Sequence, residues 1–182
     1  DHRDLHSFPT RRSSDLARAI ILNPDLVILD EATSALDSSV QAEILNLFDD
    51  LKKQFGLTYV VISHDLAMVR HMCDTIGVMY LGKFLEYGDN ESIFSNPLHP
   101  YTRSLMNAIP SIEAGVPGIA EGTILRGEVP SPIDPPPGCS FCSRCSFKTS
   151  VCETEDPPLR AFGDSHYVAC HNIEQIQMEG FK

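Results

Sequence analysis

The sequence predicts an α/β fold: a parallel sheet with helices laid over it, followed by an irregular extension. Leu26-Val27-Ile28-Leu29 and Thr58-Tyr59-Val60-Val61-Ile62-Ser63 are short apolar runs of the kind that form buried parallel strands. Between them lies a stretch with helical spacing, and strand–helix–strand is the pattern of a parallel crossover. The extension is set apart by composition: beyond Gly88 the chain turns rich in Pro and Gly, and then in Cys.

Residues 1–16, DHRDLHSFPTRRSSDL, show neither helical nor strand periodicity. They resemble translated sequencing-adapter DNA, and are expected to be a foreign or disordered leader outside the fold. From Ala17 the pattern changes abruptly. After the first strand, a helix is expected from about Ser38 to Phe55. Val40, Ile44, Leu47, Phe48, Leu51 and Phe55 share one face, Asp37 or Ser38 caps the start and Gly56 supplies the stop. Asp65, after the second strand, can cap a short helix carrying Leu66, Val69 and Cys73, with Cys73 as a buried small hydrophobe. Thr75 to Tyr80 and Lys83 to Tyr87 read as a hairpin turning at Leu81-Gly82. His99-Pro100 opens a helix with Tyr101, Leu105, Ala108 and Ile109 on one face, closed by Pro110. Ile112 to Gly138, with Pro135-Pro136-Pro137, is expected to be an extended connector, and the last ten residues to be polar and frayed.

Composition bounds the function. Of 182 residues, 42% are hydrophobic and 21% charged, which fits a globular chain. Fourteen Lys and Arg against 25 Asp and Glu leave a net charge of −11, which argues against non-specific nucleic-acid binding. No apolar run approaches the ~18 residues of a membrane span, and no secretory signal is expected. In a reducing compartment, six cysteines point to a metal or redox site rather than a disulfide framework.

Ligands of open parallel sheets bind beyond the carboxyl ends of the strands. Asp30-Glu31 stands at one such end and His64 at another. An Asp so placed can hold hydrated Mg²⁺, and a neighbouring Glu can orient or deprotonate a water. The residues that follow specify more. LVILDEATSALD, then VVISHD after a helix, resembles the ATP-binding-cassette (ABC) ATPases from Ala17 to about Gly88. The resemblance implies the C-terminal part of a P-loop (RecA-like) domain, with Leu26 to Glu31 as Walker B, Ser34-Ala35-Leu36-Asp37 as the D-loop and His64 as the switch histidine. It implies that Asp30 positions Mg²⁺ through water, Glu31 is the catalytic base, His64 senses the γ-phosphate of ATP, and Ser34 and Asp37 face the opposite subunit of an ATP sandwich dimer. Ala32 stands where such importers often have Pro.

No G-x-x-x-x-G-K-[ST] loop occurs in the chain, and the place of the family's signature loop, just before Ala17, is taken by the leader. The expectation is a truncated ATPase, inactive and poorly soluble alone. Asn96 to Pro110 and Leu125 to Cys170 further resemble the His-Pro-Tyr-Thr segment and C-terminal extension of oligopeptide and dipeptide importer ATPases, with nickel importers sharing much of the pattern. Three segments are thus expected: the leader (1–16), a partial ATPase domain (17–95) and an importer-type extension (96–182). The implied partners are a second ABC ATPase subunit, transmembrane permease subunits and, indirectly, an extracytoplasmic peptide-binding protein; the implied location is the cytoplasmic face of the membrane.

Cys139, Cys145, Cys152 and Cys170 match the family's cysteine positions, spaced C-x5-C-x6-C-x17-C, and Cys142 is an addition. Thiolates suit Zn²⁺ or an iron–sulfur cluster. The resemblance implies a [4Fe–4S] cluster; zinc with help from His166 or His171, or no metal at all, are the alternatives. Besides an importer motor, a free-standing metal or iron–sulfur redox module and an inert fragment are the competing functions.

Overall fold

A computed structural model describes residues 16–34, 36–108, 130–131, 133 and 135–179. The chain divides into two compact units, Asp1–Cys73 and Asp74–Lys182.

In the first unit, residues 16–20 form a helical turn, and Leu16, assigned above to the leader, packs into the unit's core. Strand β1 (Leu26–Asp30) pairs in parallel with β2 (Thr58–Ile62), Leu26 opposite Thr58 and Asp30 opposite Ile62. Helix α1 (Ser38–Phe55) connects them, and α2 (Leu66–Met72) follows β2. The caps are those the sequence predicts. The Asp37 carboxylate accepts the Val40 N–H at 2.9 Å, Gly56 ends α1 at φ 65°, and the Asp65 carboxylate accepts the Ala67 and Met68 N–H groups. Val27 and Leu29 are buried with Phe48 and Leu57, and Tyr59 meets Phe48 edge-on at 5.8 Å. The strands were expected to be buried, but alternation leaves Ile28 63% and Ile62 51% exposed. Cys73 closes α2 as its C-cap and is half-buried, not sealed in the helix face as expected.

In the second unit, β3 (Thr75–Tyr80) and β4 (Lys83–Asp89) form the predicted hairpin, the second strand running two residues further. Leu81 and Gly82 both have positive φ, 48° and 77°, the signature of a two-residue turn whose twist matches the strands. The sheet is then widened by two short strands that the sequence did not signal, β5 (Arg160–Ala161) and β6 (Tyr167–Val168), in the antiparallel order β3-β4-β6-β5. Helix α3 (Asn90–Ser95) is capped by Asp89, whose carboxylate also accepts the Ser165 hydroxyl. Helix α4 (Pro100–Asn107) opens at His99 as expected, its ring Nδ1 accepting the Tyr101 N–H at 3.0 Å. Thr102 is its fully buried residue and Ala108 is exposed, a rotation of the face expected from Tyr101, Leu105 and Ala108. Ile109 and Pro110 lie outside the described residues, as does most of the predicted connector.

A 3₁₀ turn (Cys142–Arg144), α5 (Ser150–Thr154) and α6 (Ile173–Glu179) complete the chain. Helix α6 corrects the expectation of a frayed tail. Ile173 and Ile176, three residues apart, are both buried with Leu98, Val168 and Cys170.

One carboxylate organises this unit. A register shift between Val78 and Met79 breaks the alternation of β4, so that Leu85 and Glu86 are both buried. Glu86, 0% exposed, accepts the Leu98 N–H at 2.6 Å and the His99 N–H at 2.9 Å, and pairs with His166 Nε2 at 2.7 Å. Glu86→Ala strands two buried N–H groups and an imidazole. It is expected to lower stability to urea by about 3 kcal/mol or more, and a loss below about 1 kcal/mol would contradict this reading. Asp89 offers a pH test. Hydrogen bonds from the Ser92 N–H, the Ser165 hydroxyl and the Ser92 hydroxyl hold its pKa down to about 2 from 3.8. A depressed carboxylate stabilises the fold above its ordinary pKa and loses that contribution as pH falls through the folded value. Asp89→Asn should therefore flatten the dependence of stability on pH between 3.8 and about 2, read from urea midpoints at each pH.

Candidate functional site

The parallel register brings the ends of β1 and β2 side by side, and with them the acids and the histidine that the sequence marked. Glu31 and His64 lie just past the two strand ends, and Glu31 Oε1 is 2.9 Å from His64 Nδ1. The Glu31 N–H continues the strand ladder by donating to the Ile62 carbonyl at 2.9 Å. Its φ of 48° is rare for a residue with a side chain, and strain of this kind clusters at functional sites. Glu31 Oε2 is buried without a hydrogen-bond partner, so the carboxylate has one oxygen committed to the imidazole and one unanswered acceptor.

Asp30 ends β1 with its side chain exposed and lines, with Glu31, Ala32, Val27, Ile44 and Phe48 among others, an open cleft of ≈ 320 Å³. Ser34 folds back on this turn, its hydroxyl donating to the Glu31 carbonyl at 3.0 Å. Asp37 is engaged in capping α1, and the Val40 N–H and then the Ser39 hydroxyl hold its carboxyl below the usual range. Ala35 lies outside the described residues.

Contacts that no motif announces support this arrangement. The Gln41 amide donates to Asp65 Oδ2, tying α1 to the turn that carries His64. The buried Thr33 hydroxyl points at Met68 Sδ at 3.0 Å. Burial pushes Asp65 up, but the Met68 N–H, the Gln41 amide and the Ala67 N–H outweigh it and hold the carboxyl low. Gln41 stands one helical turn beyond the cap, a position with no chemical signature of its own.

His64 is raised above its ordinary pKa, first by its hydrogen bond to Glu31 and then by the charge of that carboxylate. The imidazolium is thereby favoured at the strand end, and its stabilising contact is lost as pH rises through the raised pKa. Glu31→Gln should return the His64 titration, followed by NMR of the ring protons, toward an ordinary histidine. An unmoved pKa would break the link between the two residues.

The five extension cysteines form a second concentration of chemistry, in the second unit. Cys139, Cys142 and Cys152 are buried together with Tyr80, Leu85 and Phe141, and Cys145 packs against them. Cys170 is buried with Val168 and Ile173. Burial pushes Cys139 up to about 11 and Cys145 to about 12, and raises Cys142 and Cys170 as well; a negative charge at Cys152 raises all four further. Neither histidine joins them, contrary to the zinc alternative: His166 Nε2 is taken by Glu86 and His171 Nε2 lies 3.0 Å from the Glu155 carbonyl. Among the described residues no three or more His, Cys, Asp or Glu are placed to hold a metal ion. No described helix is long and apolar enough to cross a membrane.

Residues 85–152 match the family model for the oligopeptide/dipeptide transporter C-terminal region. The chain is 45% identical over 161 residues to the oligopeptide transport ATP-binding protein AppF of Bacillus subtilis, covering 88% of this chain and 49% of that protein. It is 49% identical over 167 residues to the di/tripeptide transport ATP-binding protein DppF of Pseudomonas aeruginosa, covering 91% and 50%. With the dipeptide transport ATP-binding protein DppF of Haemophilus influenzae it shares 47% over 165 residues, 90% and 50%. A crystal structure of the ADP conformation of an ATP-binding cassette of an ABC transporter aligns over 53% of this chain and 39% of that one. Its identity is 24% and its TM-score 0.46, a likeness too slight to carry an argument. The chain spans about half the length of the curated relatives it matches, and its likeness to oligopeptide, dipeptide and di/tripeptide transport ATP-binding proteins runs over about nine-tenths of its own length.

Proposed function

We propose that the chain supplies the Walker B and switch-histidine portion of the ATP-hydrolysing motor subunit of an ABC importer for oligopeptides or dipeptides. The single observation behind this reading is the Glu31–His64 pair at adjoining parallel strand ends, with Asp30 beside it on the open cleft. In this role Glu31 is the general base: its carboxylate accepts a proton from the water that attacks the γ-phosphate. His64 fixes the other oxygen and contacts the γ-phosphate. Asp30 is the residue that would hold Mg²⁺ through water, and Mg²⁺ would neutralise phosphate charge. Ser34 and Asp37 lie on the segment that meets a second ATPase subunit. The whole subunit would sit on the cytoplasmic face against transmembrane permeases, with a peptide receptor acting upstream of them. The relatives' names favour peptides over nickel as cargo.

The sequence holds no glycine-rich loop ending in Gly-Lys-Ser/Thr, whose backbone N–H groups and lysine cradle the phosphates. This 182-residue polypeptide alone is therefore expected to release phosphate from Mg·ATP only at background. In a complete subunit carrying these residues, reconstituted with its permeases in vesicles, Glu31→Gln should cut ATP hydrolysis and peptide uptake by at least about 10²-fold while nucleotide binding persists. Unchanged turnover in that variant would remove Glu31 from the mechanism.

A second reading concerns the cysteines, and a specific observation favours it: donors are directed at their sulfurs. We infer that four of the five thiols hold an iron–sulfur cluster. An all-sulfur, buried donor set is the chemistry an iron–sulfur cluster uses. When bound, the cluster would supply a covalent cross-link among short elements, and electron storage.

A further inference from the structure

The His64 side chain is 77% exposed, so packing does not hold the ring where it meets Glu31. Hydrogen bonds around its turn, Ser63 to Asp65, do so instead. Within the turn, the Ser63 hydroxyl accepts the Asp65 N–H at 3.0 Å. Toward the helix that follows, Asp65 Oδ1 accepts the Ala67 N–H at 3.0 Å and the Met68 N–H at 3.1 Å. Capping uses that one oxygen. The other, Oδ2, accepts from the side-chain amide of Gln41, 24 positions away in sequence. The amide's orientation is forced: an ionised carboxylate only accepts, so Gln41 must present its N–H.

Gln41 is fixed in turn by its own backbone, whose N–H donates to the Asp37 carbonyl at 2.9 Å in the first turn of α1. The two helices so joined are unequal. Helix α2 has seven residues, too few to hold a position unaided. Helix α1 has 18 and packs on Val27 and Leu29 through Phe48. The Gln41 bond therefore references a weak element to a firm one. The Thr33 hydroxyl on Met68 Sδ runs alongside, but to a poor acceptor. The contacts close a circuit. From His64 it passes to Glu31, along the chain to Asp37, through Gln41 to Asp65, and back to His64.

We propose that Gln41 is a positioning residue for His64: by tying Asp65 to α1 it holds the turn that carries the imidazole at the place where the ring meets Glu31. Gln41 reaches His64 only through Asp65. The inference rests on the ATPase reading above and gives a part in it to a residue that lies in none of the motifs.

The test is made in a complete subunit carrying these residues, reconstituted with its permeases, and beside it in the 182-residue chain by NMR of the His64 ring. Gln41→Leu keeps the bulk and removes the donor. It should lower kcat for ATP at least about tenfold with KM within about twofold, since a displaced catalytic group costs turnover more than binding. In the 182-residue chain it should move the raised His64 titration toward that of an ordinary histidine. Gln41→Glu sets a carboxylate against Asp65 and should have both effects. Combining Gln41→Glu with Asp65→Asn reverses donor and acceptor while the new asparagine still caps α2, and should restore kcat to within about threefold. Should Gln41→Leu fail to fold, Gln41→Glu and its paired rescue decide. Unchanged kcat in Gln41→Leu beside an inactive Glu31→Gln overturns the role of Gln41 and leaves the ATPase reading standing. Failure of the paired substitution to recover activity does the same. Full turnover in Glu31→Gln defeats the ATPase reading and this inference with it.

Discussion

A carboxylate removed entirely from water must have its lone pairs answered, and in the second unit that demand falls on Glu86. Its partners come from two places in the chain. The Leu98 and His99 N–H groups stand at the entrance to α4, and His166 stands at the entrance to β6, 80 residues away. The elements so joined are short: β6 has two residues and α4 has eight. Elements of that length bury too little to hold themselves. The buried charge converts a run of short pieces into a defined arrangement, because any displacement of α4 or β6 leaves Glu86 short of a partner. This is the use of a buried polar group as a specifier, with stability a consequence of satisfaction and not of the charge itself.

The first unit is organised by register instead. A one-residue slip between β1 and β2 would turn Val27 and Leu29 out of the core and carry Glu31 away from His64. Hydrophobic burial therefore fixes the geometry at the strand ends: the pairing that seats Val27 and Leu29 beneath α1 is the same pairing that sets the two side chains 2.9 Å apart. The left-handed φ of Glu31 lets the chain leave the strand while the N–H still completes the ladder to Ile62. Function and packing share one set of hydrogen bonds.

What was legible in the sequence was local. Asp37, Asp65 and Gly56 cap helices because capping depends on residues three or four apart, and the Leu81-Gly82 turn depends on two. Glu31 and His64 were legible as partners because parallel strands bring their ends together, although the contact itself spans 33 positions. Glu86 was hidden for two physical reasons. Strand alternation predicts that it faces water, and the bulge that reverses this is a property of the pair β3–β4, not of either strand. Strands β5 and β6 and helix α6 were hidden because two or three residues carry no period, and Ile173 and Ile176 are two apolar residues in a polar stretch. Burial along the whole of β1 and β2 was the wrong expectation, since apolar runs report what a strand can bury and not what is present to cover it.

The two sites differ in how their polar atoms are left. At the strand ends Glu31 keeps one oxygen without a partner, its pair with His64 stands 40% and 77% exposed, and the cleft beside it is open. The pair itself is open to solvent through His64 and the rest of the Glu31 side chain, while the unpartnered oxygen is held inside. At the cysteines the thiols are enclosed and, with the exception of Cys142, met by donors. Sulfur is a poor acceptor, so a protein that spends a helix cap and an asparagine amide on one thiol gains little by it while the thiol stays protonated. The same donors gain strength once the sulfur carries charge, since hydrogen bonds to an ion are roughly twice as strong as neutral ones. Thr149 and Asn172 meet the Cys152 sulfur from two separate places in the chain, so their contacts tie the start of α5 to the residue before α6.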